Sequence, residues 1–328
     1  MSPDATAAAQ EARFAADLTA ALNHRPATVL LAVSGGPDSV AMLLLAAAAL
    51  PGRIRAATVD HRLRPEAAAE AAMVATLCDT LGVAHATLVP PEPIAGSSIQ
   101  ARARAARYAL LAEHARSVGA EAIATAHHVD DQAETFLMRA ARGSGLSGLS
   151  GVRARTVIEG MAVVRPLLEW RRAELRAIVR RAEAPFVDDP ANADPRHDRT
   201  RFRQLLDRNE WLDPPHLARA AALLAEADGD IRAMVEWVWH ERAQVDGDNV
   251  RLQATGLPRE MARRLVRRAI GVVREAAGIT TPPWSESAQI EALLDGLAEG
   301  RRATHGGVIG SVRGETWRFR PAPPRKTG

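Results

Sequence analysis

Short apolar runs alternate with longer helical patterns along the first part of the chain. Residues 3–23 have amphipathic spacing and predict a helix, and the run Thr28-Val29-Leu30-Leu31-Ala32-Val33 has the length of a buried strand. A Gly-Gly turn follows, then an Ala- and Leu-rich run that predicts a second helix. Further strands are expected at residues 54–59, 83–89 and 122–126, separated by helices at 65–81 and 98–117 and by a proline-rich loop at 90–96. This alternation predicts parallel βαβ units, and so an α/β fold with a doubly wound, mostly parallel sheet. Such sheets bind ligands at the carboxyl ends of their strands. Three polar clusters are expected there, at residues 34–39, at Asp60-His61 and at residues 127–131.

The pattern changes at Pro214-Pro215, which predicts a division into residues 1–213 and a smaller, mainly helical C-terminal domain over residues 214–328. Helices are expected there at 216–227, 231–244, 258–277 and 287–297. Residues 304–312 and 316–319 suggest a hairpin across Arg313-Gly314-Glu315, and the tail from Pro321 is expected to be disordered.

Composition narrows the function classes. The formal charge is +3 with a pI near 9.9, because nearly every basic residue is arginine and Lys326 is the only lysine. That excludes lysine-nucleophile chemistry in the body of the chain and suits phosphate recognition, though arginine richness alone decides little. Cys78 is the only cysteine, so an intramolecular disulfide, a cysteine-ligated zinc and an iron–sulfur cluster are excluded within one chain. No apolar run reaches membrane-spanning length and no signal pattern opens the sequence, so a cytoplasmic protein without membrane association is expected.

The first polar cluster, Ser34-Gly35-Gly36-Pro37-Asp38-Ser39, joins a strand to a helix N-terminus, where unpaired amides and the helix dipole favour an anion. The glycines permit close backbone approach, and the Ser34 and Ser39 hydroxyls can donate to phosphate. No lysine follows the loop; Asp38 stands there instead, and a carboxylate beside a polyphosphate calls for Mg²⁺ between them. The same residues also suit an ordinary turn capped by Asp38 and Ser39. The string SGGPDS resembles the SGGxDS loop of the PP-loop ATP pyrophosphatases, which cleave ATP to AMP and pyrophosphate.

The third cluster opens a helix. Asp131 and Glu134 are spaced to share a face with Asp130, as an acidic first turn or as a holder for a cationic amine, and His127 at the strand tip can touch phosphate. The glycine-rich stretch at residues 139–149 reads as a mobile loop over the site or as a plain linker.

The segments DHRLRPEAAAEA, SIQARARAARYALL, AHHVDDQAET, RGSGLSGLSGV, RPLLEWRRAEL and DDPANADPRHDRTRFRQLL resemble, in order, the blocks of the tRNA(Ile)-lysidine synthase family. The resemblance covers most of residues 28–206. It implies ligation of free L-lysine to the wobble cytidine of the CAU-anticodon tRNA(Ile), with ATP adenylating the cytosine before lysine displaces AMP. It further implies that residues 34–39 hold the ATP pyrophosphate with Mg²⁺ at Asp38, and that Arg107 stabilises charge at the α-phosphate. His127 matches the family's motif histidine, and Asp131 and Glu134 its lysine-binding acids. A solvated helix face is the other reading of Arg107. Arg199 and Arg203 are candidate tRNA contacts, while Thr200 stands where the family carries asparagine. In the C-terminal part Arg263 and Arg267 lie on one helical stripe that suits an RNA phosphate track or a plain solvated face. Another PP-loop tRNA-modifying enzyme, or a catalytically silent tRNA- or AMP-binding protein, are the alternatives. The sequence leaves the oligomeric state open, a homodimer included.

Overall fold

The computed structural model describes residues 3–188, 198–285 and 288–323. Part of the last resembling block (residues 189–197), the start of the helix expected at 287 and Lys326 lie outside the described residues. The chain forms two compact units, Met1–Ala225 and Glu226–Gly328.

In the first unit α1 (Pro3–Leu22) leads to β1 (Val29–Ala32), α2 (Pro37–Ala49), β2 (Ile54–Val59), α3 (Ala67–Thr80), β3 (Ala84–Leu88), α4 (Ile99–Ser117) and β4 (Ala122–Ala124). Then come α5 (Val129–Ala140), α6 (Leu146–Leu149), β5 (Arg155–Ile158), β6 (Met161–Val164), α7 (Arg172–Arg181) and α8 (Asp198–Arg208). The strands form one sheet in the order β3-β2-β1-β4-β6-β5. All neighbours are parallel except the β5–β6 hairpin at the edge. The chain reverses its winding between β1 and β4, which is where doubly wound sheets open a crevice.

The central strands β1, β4 and β6 are apolar because both of their faces are covered. Val29 and Leu31 point into a core shared with α1, α2, α3 and α7, where Phe14, Met42 and Trp170 are fully buried. Leu30 and Ile123 point the other way, against Tyr108, Leu111 and Ala115 of α4. Cys78 belongs to the first core, and burial pushes its thiol up to about 11, so it packs as an inert apolar residue. The β5–β6 hairpin and α7 add elements that the hydrophobic pattern alone does not delimit.

The boundary between units falls within α9 (Pro214–Arg242). The sequence pattern predicts two helices here; the structure has one, continuous through Asp228-Gly229-Asp230. Asp228 is buried and accepts from Arg232 Nε one turn on (2.9 Å) and from Arg264 Nη2 (2.7 Å), so its charge is matched inside the helix. Then follow β7 (Ala243–Asp246), β8 (Asn249–Gln253), α10 (Arg259–Ala276), α11 (Glu291–Ala298), β9 (Ala303–His305), β10 (Val308–Arg313) and β11 (Thr316–Pro321). The expected hairpin is β10–β11, and it is embedded in a five-stranded antiparallel sheet, order β7-β8-β11-β10-β9. Because β11 continues to Pro321, which pairs with Val308, the tail does not start at Pro321. This sheet packs on the apolar stripe of α10, from Met261 to Val273. Among the described residues no helix is long and apolar enough to cross a membrane.

Candidate active site

The glycine turn is built by backbone conformation. Gly35 has φ +85°, and a Cβ there would meet Met73 Cε at 3.3 Å and Val74 Cγ2 at 3.5 Å. Gly35 O accepts from Val187 N–H at 2.9 Å, which ties the turn to the chain beyond α7. Gly36 is the N-cap of α2 and Pro37 follows, with no side-chain cap. The reading of Asp38 and Ser39 as caps therefore falls away, and the first amides of α2 are left for a ligand. Ser39 Oγ accepts from Ser34 N–H (3.1 Å) and donates to Gly36 O (2.9 Å), so it shapes the loop. The Ser34 hydroxyl, 3.3 Å from Ser39 Oγ, is the one able to turn toward a phosphate.

Asp38 Oδ1 is buried without a hydrogen-bond partner among the described residues. Its other oxygen lies 3.4 Å from His128 Nε2. A carboxylate oxygen buried and unmatched costs free energy unless a cation meets it. Among the described residues no three His, Cys, Asp or Glu gather around a metal position. An ion here would take one protein carboxylate, with phosphates and water completing its shell, which is how Mg²⁺ binds nucleotides. The residues fit that ion.

His128, which the sequence does not single out, is the N-cap of α5 and is 1% exposed. Its Nδ1 accepts from Asp131 N–H (3.3 Å), while its own N–H donates to Asp131 Oδ2 (3.1 Å). Burial lowers its pKa, but Asp131 and Asp38 beside it prevail, so the ring is held above its usual value. The signal in the sequence is the capping-box spacing from His128 to Asp131. His127 behaves oppositely. It pairs with Thr125 Oγ1 through Nδ1 (3.0 Å), and burial, helped by Arg165, Arg199 and Arg104 against Asp131, lowers it to about 4. His127 is thus neutral near pH 7.

The acids of α5 lie close to arginines. Glu134 is 0% exposed and accepts from Arg172 Nη2 (2.5 Å), Arg199 Nε (2.7 Å) and Arg203 Nε (2.8 Å). Arg199 also donates through Nη2 to Asp131 Oδ1 at 2.5 Å. Asp130 is fixed by Arg172 N–H (2.8 Å). A cavity of about 420 Å³ brings Ser34, Gly36, Pro37, Asp38 and Ser39 together with Arg107, His127, Asp131, Arg199 and Arg203. Asp131 lines it and Glu134 does not; Glu134 sits behind, held by its arginines. Thr200 is buried.

Arg107 projects from α4 into this cavity, its guanidinium 6.0 Å from the Tyr108 ring centroid. The other arginines lining the cavity, Arg64, Arg172, Arg176, Arg199 and Arg203, each meet a carboxylate. Arg107 is exposed and pairs with no carboxylate among the described residues, and desolvation of its guanidinium lowers its pKa. Arg172 and Arg176 stand in or just after the RPLLEWRRAEL segment, but spacing alone gives them no role.

The glycine-rich stretch contains the one-turn α6, and Arg139 Nη1 donates to Gly148 O (2.7 Å) and Gly151 O (3.1 Å). In the second unit Arg263 is matched by Glu291, at 2.6 Å, and by Glu260. Arg267 donates to Ala288 O at 3.0 Å and has no carboxylate at ion-pair distance among the described residues.

A parallel sheet with a glycine turn at its switch point and a lysine-free phosphate loop defines a PP-loop ATP-binding protein, and residues 8–209 match the family model described as PP-loop domain. The chain is 43% identical over 305 residues to the tRNA(Ile)-lysidine synthase of Zymomonas mobilis subsp. mobilis, covering 90% of this chain and 89% of that protein. With the protein of the same name from Novosphingobium aromaticivorans the identity is 44% over 302 residues, covering 91% and 90%. The chain belongs to the tRNA(Ile)-lysidine synthase family. Among solved structures, the U34-tRNA thiolase NcsA from Methanococcus maripaludis shares the fold, with a TM-score of 0.54 at 15% identity over 65% of this chain and 78% of that one.

Proposed function

We propose that this chain is an ATP-dependent carbon–nitrogen ligase that joins free L-lysine to the wobble cytidine of the CAU-anticodon tRNA(Ile), forming lysidine in the cytoplasm. The observation that carries the reading is one cavity lined by Asp38, whose Oδ1 has no hydrogen-bond partner among the described residues, by Arg107, which meets no carboxylate among them, and by Asp131. Pyrophosphate release needs the first, an adenylated intermediate the second, and an amine substrate the third.

In the first step the cytosine 2-oxygen attacks the α-phosphorus of ATP and pyrophosphate leaves. The α2 amides and the Ser34 hydroxyl hold the leaving phosphates, and Asp38 would hold a Mg²⁺ that, when bound, would offset their charge. Arg107 lies on the opposite wall and stabilises charge growing on the α-phosphate. His127, being neutral, donates a hydrogen bond in the tautomer in which Thr125 donates to its Nδ1. In the second step an amine of lysine attacks C2 and AMP leaves. A carboxylate-bound ammonium is not nucleophilic, so Asp131 holds the α-ammonium and leaves the ε-amine to react. Glu134 positions Arg172, Arg199 and Arg203 around that acid. Of the arginines considered for RNA, Arg267 has no carboxylate at ion-pair distance among the described residues and is the better phosphate contact, while Arg263 is matched internally.

Incubation with ATP, Mg²⁺, labelled lysine and a tRNA(Ile) transcript tests the reading. Label in the RNA with one AMP released per lysine is expected. AMP release without label would assign a different acceptor, and no AMP release would indicate a silent binding protein.

A further inference from the structure

Arg107 has a neighbour on α4 with no role in the chemistry above. Arg104, one turn earlier, is exposed, and its guanidinium lies 5.1 Å from the centroid of the same Tyr108 ring. It pairs with no carboxylate among the described residues. Its charge lowers the pKa values of Arg107, His127 and Arg165, which places it at the rim of their cluster. Arg165 is itself buried and is held by Arg153 O (2.6 Å) and Thr156 Oγ1 (3.2 Å). Arg104 and Arg107 both lie over the Tyr108 ring and neither meets a carboxylate among the described residues, so their charges repel one another and an arriving anion relieves that repulsion. Tyr108 is only 5% exposed, and its ring gives the Arg104 guanidinium a stacking surface at 5.1 Å, which reduces the side-chain freedom lost when an anion binds.

The triphosphate is not that anion. Its cradle is the glycine turn on the other wall, and Arg104 does not line the cavity, whereas Arg107 does. An anion that bridges from Arg107 outward to Arg104 must extend beyond the nucleotide pocket. We propose that Arg104 is a positioning residue that binds a backbone phosphate of the RNA substrate, next to the nucleotide whose base enters the cavity. This rests on the ligase reading above. The Arg104–Arg107 pair then sets how deeply the target base enters, with Arg104 on RNA phosphate and Arg107 on the reacting phosphate.

The test compares wild type with Arg104→Ala, Arg104→Gln and Arg104→Lys, measuring KM for tRNA(Ile) transcript, ATP and lysine, and tRNA binding by filter retention across a salt series. Arg104→Ala and Arg104→Gln are expected to raise the tRNA KM about tenfold and to reduce the salt slope of binding by about one. KM for ATP and lysine stay within about twofold, and Arg104→Lys recovers most of the loss. An unchanged tRNA KM and slope overturns the proposal, as does a rise confined to the ATP KM, which would make Arg104 part of the nucleotide site. Thermal melts identify any variant that fails to fold, and the Gln and Lys variants then carry the comparison. Should wild type bind tRNA without incorporating lysine, the ligase reading fails, while the salt series still decides whether Arg104 holds RNA phosphate.

Discussion

Arg199 donates through Nη2 to Asp131 Oδ1 at 2.5 Å, occupying the carboxylate assigned to the lysine ammonium. A guanidinium and an ammonium compete for one carboxylate, so substrate binding here is an exchange of cations. Arg199→Ala is expected to lower the KM for lysine several-fold. Arg199→Lys is expected to stay near wild type, because it supplies an ammonium of its own. Steady-state kinetics with tRNA and ATP saturating checks this.

The two acids of α5 are expected to separate in their failures. Asp131→Asn should raise the lysine KM by more than tenfold with little change in folding. Glu134→Gln leaves three arginines around a neutral, fully buried group and should cost about 3 kcal/mol of stability. Urea unfolding of both variants beside lysine titrations distinguishes the roles. A merely kinetic Glu134→Gln would move that residue to the cavity wall.

Asp38→Asn is expected to reduce AMP formation by about a hundredfold or more while leaving the melting temperature unchanged or higher. Removing the charge from an oxygen unmatched among the described residues offsets the loss of the His128 contact at the other oxygen. Quenched-flow measurement of AMP, with a melt on the same sample, checks both halves. A large loss of stability would mean that Asp38 serves the fold.

His127 gives the stability a pH dependence. Its folded pKa, about 4, lies below the ordinary histidine value of 6.5, so the unfolded chain binds more protons between those values. The contribution is complete above pH 6.5 and is lost as pH falls toward 4, by an amount on the order of 3 kcal/mol at most. Denaturant titrations across that window should show a steeper fall for wild type than for His127→Gln, which keeps a partner for Thr125.

The strand, glycine turn and helix at residues 28–45, the alternation that makes a parallel sheet, and the gathering of polar clusters at its carboxyl edge were legible in the sequence. Each rests on local periodicity or on backbone freedom at Gly35, which neighbours along the chain dictate. Other features depended on partners far away in sequence. Asp228-Gly229-Asp230 reads as a helix break, yet Arg264, brought in from α10, matches the buried acid and the helix runs on. Asp131 and Glu134 share a spacing and diverge in role only because α7 and α8 deliver Arg172, Arg199 and Arg203 to the inner one. Arg104 and Arg107 look alike among many arginines, and only the fold shows that neither meets a carboxylate among the described residues and that Arg107 lines the cavity. Spacing along a chain specifies which way a side chain leaves its own element, whereas the charge it meets there is supplied by whatever the tertiary packing sets against it.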